Sequence, residues 1–198
     1  MLAIIPPRLF LRSNKLKTIT LINQTSIEFD EVIEQCRNVF VKKNKDYGMS
    51  WRIMRISSII DQIFIKANRI KTIEEKGVQA VDEGVQSEWM GIINYCVMGL
   101  IQLNPNLQNK NISDEELLEW YNQYLVQTKD LMMQKNHDYG EIWRKMLVST
   151  FTDMLLMRVN RMHQIIENKG KTEVSEGIDS NLMDMINYSI FALIRLKN

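Results

Sequence analysis

Two stretches of the chain carry an apolar residue at nearly every third or fourth position. In the first these are Ile53, Ile56, Ile60, Ile63, Ala67 and Ile70; in the second they are Met146, Phe151, Met154, Leu155, Val159 and Met162. An α-helix turns once in about 3.6 residues, so such spacing gathers them on one face. The pattern predicts helices over roughly Trp51–Thr72 and Trp143–Glu167. A helical stretch precedes each one, roughly Glu28–Lys43 and Ser113–Lys135. Another follows each, roughly Glu83–Gln102 and Glu176–Arg195, ending in the apolar runs NYCVMGLI and NYSIFALI. No period-two strand is expected outside the first 24 residues.

The two halves resemble each other residue by residue. Phe40–Arg69 set against Met132–Arg161 gives 12 identities in 30 positions. Lys76–Leu103 set against Lys169–Leu196 gives 13 in 28. This is a tandem duplication whose period is too long for a solenoid repeat. The expected organisation is a tail over residues 1–24, a first copy over 25–103, a linker over 104–112 and a second copy over 113–198. The linker stands out in LNPNLQNKNI, rich in Asn and carrying a Pro. Ser113, with Glu116 three residues on, reads as the capping box that opens the second copy. A single three-helix module buries little surface by itself. The expected fold is therefore all-α, two tandem three-helix modules packed as one pseudo-two-fold helical bundle.

Composition supports a core and excludes some functions. Of 198 residues, 45% are hydrophobic and 25% charged, and the net charge is +1. No global field draws the chain to nucleic acid or to a membrane surface, so phosphate recognition must come from a local cluster. No run reaches the ~18 apolar residues of a membrane span. The opening 24 residues have no clear cleavage site and read as a loosely held tail rather than a signal peptide. The two cysteines, Cys36 and Cys96, face Thr128 and Ser189 in the repeat alignment, which suits buried structural thiols. No disulfide framework or zinc spacing is present, and a reducing cytoplasm is the expected setting.

The most unusual conserved-in-repeat stretch is polar. KNKDYGMSWR at residues 43–52 returns as KNHDYGEIWR at 135–144. Gly48 and Gly140 supply the backbone freedom for a helix-to-helix corner. As a ligand site, Tyr47, Trp51, Tyr139 and Trp143 would stack a base. Lys43, Arg52, Lys135 and Arg144 would hold phosphates. Asn44, Asp46, Asn136 and Asp138 would contribute hydrogen bonds, the Asp residues to a base edge or a metal. The same residues also suit a purely architectural corner, with Gly turning, the rings plugging and Asp capping. A plug has no evident need of Lys, Asn and Arg, and that repeated polar set favours the ligand reading.

Two further patterns recur. The second helix repeats D-x6-N-R, as Asp61, Asn68, Arg69 and Asp153, Asn160, Arg161. Arg69 and Arg161 join the candidate ligand set, although a solvated face or a pair between the modules fits the same spacing. The third helix repeats E-G-x-x-S-x-x-M-x-x-I-N-Y, which aligns Glu83, Ser87 and Asn94, and Glu176, Ser180 and Asn187, on one stripe. Only the second copy adds Asp179 and Asp184; the first has Gln86 and Gly91 there. If a divalent cation such as Mg2+ is the cofactor, its candidate ligands are Asp153, Glu176, Asp179 and Asp184, with Asp138 near. A histidine base used in both copies is excluded, because His137 and His163 face Lys45 and Lys71. No Gly-rich phosphate loop is present.

K-N-x-D-Y-G-x-x-W followed by a helix ending in I-N-Y resembles the nucleotide modification associated domain 1 family, over residues 28–103 and 113–198. The resemblance implies a context of nucleotide or base modification and names no reaction. A more distant similarity reaches the MazG-like all-α nucleotide pyrophosphohydrolases, which hold Mg2+ with E-x-x-E and E-x-x-D on two helices. Here the E-x-x-D place reads Glu88…Gly91 in one copy and Asn181…Asp184 in the other, so each copy holds one half. The expected function is binding of a nucleotide or modified-base compound. The alternatives are a MazG-like nucleoside triphosphate pyrophosphohydrolase and a non-catalytic helical adaptor.

Overall fold

Residues 8–47 contain neither Pro nor Gly, and nothing in them interrupts a helical hydrogen-bond ladder. In the computed structural model they form one helix, α1 (Pro7–Tyr47), with Pro at a first position where its missing N–H costs nothing. The structure describes residues 7–78, 84–108, 110–172 and 176–197, with side chains from residue 24 onward. The remaining helices are α2 (Ile56–Lys76), α3 (Val85–Leu103), α4 (Asp114–Tyr139), α5 (Val148–Glu167) and α6 (Ile178–Lys197). Short 3₁₀ turns, Ser50–Ile53 and Ile142–Lys145, join α1 to α2 and α4 to α5. No strand occurs among the described residues, and no helix there is long and apolar enough to cross a membrane.

Two expectations change. The stretch expected as a tail is, from Pro7 on, continuous with the first helix. The second helix of each copy starts at Ile56 or Val148, not at the Trp, because the corner consumes more chain than a single Gly turn. Ile53, expected on the buried face, consequently falls on the 3₁₀ turn and is 91% exposed. The capping residue of the second copy is as expected: Ser113 Oγ accepts the N–H of Glu116 at 3.2 Å.

The apolar stripes of α2 and α5 are buried at Ile59, Ile60, Ile63, Ala67 and Ile70, and at Phe151, Leu155, Val159 and Met162. They pack against α3 and α6, which are buried on more than one face and form the centre of the bundle. α1 and α4 lie outside this four-helix centre and touch each other, α3 and α6.

Mirrored contacts show the pseudo-two-fold axis directly. Asp61 of α2 meets His163 of α5 at 3.0 Å, while the repeat mate Asp153 meets Lys71 at 3.8 Å. The two helices therefore run antiparallel. Likewise Asp30, Phe40 and Asn44 of α1 meet Lys129, Tyr121 and Asp114 of α4 in reverse order. Asn94 donates to the Cys36 carbonyl at 3.2 Å, and Asn187 to the Thr128 carbonyl at 3.3 Å. The Asn of each I-N-Y is thus a bolt from the third helix of its copy to the first. Ser87 instead bonds the Gly84 carbonyl of its own helix start, and Glu83 lies outside the described residues.

Candidate functional site

The first-copy corner forms because α1 carries Lys43 and Asn44 through its last turns and then meets Gly48. The Gly48 nitrogen donates to the Asn44 carbonyl at 2.8 Å, and its φ of +60° is a region that side-chain-bearing residues rarely adopt. The 3₁₀ turn then brings Trp51 inward. Gln102 of α3 fastens the turn by donating to the carbonyls of Arg52 at 3.1 Å and Met54 at 3.2 Å. A cavity of about 470 Å3 opens here, within the usual range for a small-molecule site. Lys43, Asn44, Tyr47 and Trp51 line it, joined by Tyr95 and Met98 from α3. Four of the six ligand residues expected in this corner therefore share one cavity. Lys43 makes no ion pair or hydrogen bond among the described residues. Asn44 Nδ2 is committed to Asp114 at 2.8 Å, while its Oδ1 is buried without a partner.

The other two do different work. Asp46 is exposed, does not line the cavity and caps nothing, since α2 begins without a side-chain cap. Arg52 donates through Nη2 to the carbonyls of Leu107 at 2.6 Å and Lys110 at 3.3 Å. It pins the segment between α3 and α4.

The second-copy corner also turns on a glycine of positive φ, Gly140 at +65°, but its polar groups are spoken for. Lys135 Nζ sits 2.6 Å from Asp184. Arg144 bonds Glu28 at 2.5 Å, Thr25 at 2.6 Å and Glu141 at 2.5 Å, and so clasps α1. Burial alone would lower its pKa, but these carboxylate bonds carry it above the ordinary arginine value. Trp143 stacks on Phe191 with ring centroids 4.3 Å apart, and the Arg144 guanidinium lies 4.3 Å from its ring centre. Met98 holds the place of Phe191 in the first copy. Asn136 is buried and donates to Met132 Sδ, Tyr139 is exposed, and Asp138 pairs with His137 at 3.1 Å.

Behind each corner, two cations of the first or second helix hold a buried carboxylate on the third. In the first copy these are Lys66 and Arg69, and the carboxylate is Glu88. Lys66 approaches it at 3.0 Å and Arg69 binds its other oxygen. In the second copy they are Lys135 and Arg158, and the carboxylate is Asp184, one helical turn further along. Arg158 holds it at 2.6 Å and also bonds Asn181 at 2.9 Å. The position of Asp184 is Gly91 in the first copy, where the Lys66 chain lies so close that a Cβ would sit 2.7 Å from its Cε. Arg69, expected among the ligand residues, is engaged with Glu88. Arg161 has no counterpart of Glu88 to pair with, since Asn181 stands there, and it lines a broad polar depression with Lys171.

The carboxylates expected to gather around a metal are dispersed. Asp184 is buried between Lys135 and Arg158. Glu176 approaches Arg158 at 3.9 Å, and Asp179 is exposed in the first turn of α6. Asp153 crosses to Lys71 on α2 at 3.8 Å. Among the described residues no group of three or more His, Cys, Asp or Glu is arranged to hold a metal ion. The antiparallel packing of α2 on α5 turns the repeated Asp of the second helix toward the other copy, and a linear sequence does not show that.

Sequence reasoning missed Tyr95, Met98, Gln102, Lys66 and Arg158. Tyr95 was the most accessible of these, because it is part of the repeated I-N-Y. The family described as nucleotide modification associated domain 1 matches at residues 43–103 and again at 135–196, together more than half of the chain. The chain belongs to this family. Each matched unit begins at the corner lysine, Lys43 or Lys135, so the family unit is the corner plus the two helices after it, a narrower span than the resemblance suggested. Most of α1 and α4 lies outside it. No curated protein and no solved structure matches the chain.

Proposed function

We propose that the chain binds a nucleotide, or a nucleotide-like modified-base compound, in the corner of its first copy. The observation that carries this reading is an unpaired Lys43 on a cavity of about 470 Å3 walled by Tyr47, Trp51 and Tyr95. Rings of this kind stack any base through its π-face, which contributes about 1–3 kcal/mol per base. An ammonium at the rim answers a phosphate as a point charge. Lys43 is the one cation among the described residues that line the cavity, so the site suits a monophosphate better than a triphosphate; a longer phosphate chain would arrive with its own Mg2+. The family name supports a nucleotide context.

Calorimetry with nucleoside and deoxynucleoside mono- and triphosphates, with and without Mg2+, tests the reading. Binding is expected, and Lys43→Ala should weaken it at least ten-fold. Heat from no member of the panel would leave the corner as architecture. Release of pyrophosphate from a triphosphate would instead favour the pyrophosphohydrolase reading.

A further inference from the structure

We infer that the two copies are not equivalent sites: the register of one buried carboxylate opens the first corner to an anion and closes the second. This rests on the ligand reading above and adds what decides where the ligand goes. In each copy two cations hold one buried carboxylate of the third helix, but not the same two. When the carboxylate stands at the earlier turn of the third helix, as Glu88 does, it takes Lys66 and Arg69. Position 91 is then Gly, and Lys43 is left for a ligand. When it stands one turn later, as Asp184 does, it takes the corner lysine, Lys135, together with Arg158. Asp184 thereby occupies in the second copy the electrostatic place that a phosphate takes in the first. Phe191 closes the same corner sterically by covering the ring of Trp143. The chain holds one ligand, not two, although it writes the corner motif twice.

The exchange Glu88→Asn with Gly91→Asp gives the first copy the register of the second. The second copy is itself the precedent that this arrangement packs. The probe is trinitrophenyl-ATP, followed by fluorescence, with unlabelled AMP as competitor. The wild-type chain should bind one equivalent. The exchanged chain should lose at least ten-fold in affinity with unchanged helical circular dichroism. Equal binding by both would overturn the inference, while absence of binding by the wild type would overturn the ligand reading beneath it. Should the exchanged chain not fold, Lys135→Ala decides. Affinity within two-fold of wild type supports a single site in the first copy, and a ten-fold loss refutes it.

Discussion

Tyr121 donates its hydroxyl to Asn94 Oδ1 at 2.8 Å, and its repeat mate Phe29 can offer Asn187 nothing. Asn187 Oδ1 is accordingly buried without a partner. A buried acceptor left unpaired costs about 1–3 kcal/mol. Tyr121→Phe should therefore lower the stability by about that amount in urea unfolding. Phe29→Tyr should do the opposite and raise it by up to about 1 kcal/mol, provided the hydroxyl fits beside Asn187. Indifference of both variants would mean that the axis relating the copies is less exact at this level than the mirrored Asn bolts indicate.

Arg52 and Arg144 occupy the same place in the motif and hold different things. Arg144 joins Glu28 of α1 to Glu141, and its removal strands two carboxylates that are largely shielded from water. Discounted for the part of the side chain that remains wet, the loss should be about 2–3 kcal/mol. Arg52→Ala removes hydrogen bonds to two carbonyls only, and about 1 kcal/mol is expected. Its clearer signature should be faster amide exchange confined to the segment between α3 and α4. Equal losses in the two variants would contradict this division.

That pair also shows what the sequence could and could not disclose. The duplication, the Gly corners and the apolar stripes are local or periodic, and each was legible from spacing. The partners of Arg52 and Arg144 were not, since Leu107 and Glu28 reach them through the packing of whole helices. Nor was the fate of Asp153, which depends on α2 and α5 running antiparallel. Lys43 and Lys135 are identical letters in identical motifs. What separates them is Gly91 against Asp184, and its meaning emerges only when the third helix lies beside the corner.

Burial pushes the Cys36 thiol up to about 12, and raises Cys96 as well. A thiol whose folded pKa lies above its unfolded value contributes stability that is complete below the unfolded pKa, near 9, and is lost as pH climbs toward the folded one. Stability should thus decline between about pH 9 and 12, and Cys36→Ala should flatten part of that slope. At pH 8 neither thiol should react with a disulfide reagent in the native chain, and both should react in denaturant. Fast labelling of the native chain would contradict the buried, structural reading of the two cysteines.

The unequal charges of the two corners can be read without any ligand. Lys43 has no partner to lose, so Lys43→Ala should change stability by less than about 0.5 kcal/mol. Lys135 is half exposed and shares Asp184 with Arg158, so Lys135→Ala should cost about 1 kcal/mol. Asp184→Asn leaves the shielded Arg158 with the exposed Glu176, 3.9 Å away, as its counter-charge, and should cost about 2–3 kcal/mol. A double-mutant cycle on Lys135 and Asp184 should return a coupling of about 1 kcal/mol, while the same cycle on Lys43 and Glu88 should return none. Appreciable coupling in the first copy would mean that Lys43 already answers to Glu88, and its corner would then have no free charge to offer an anion.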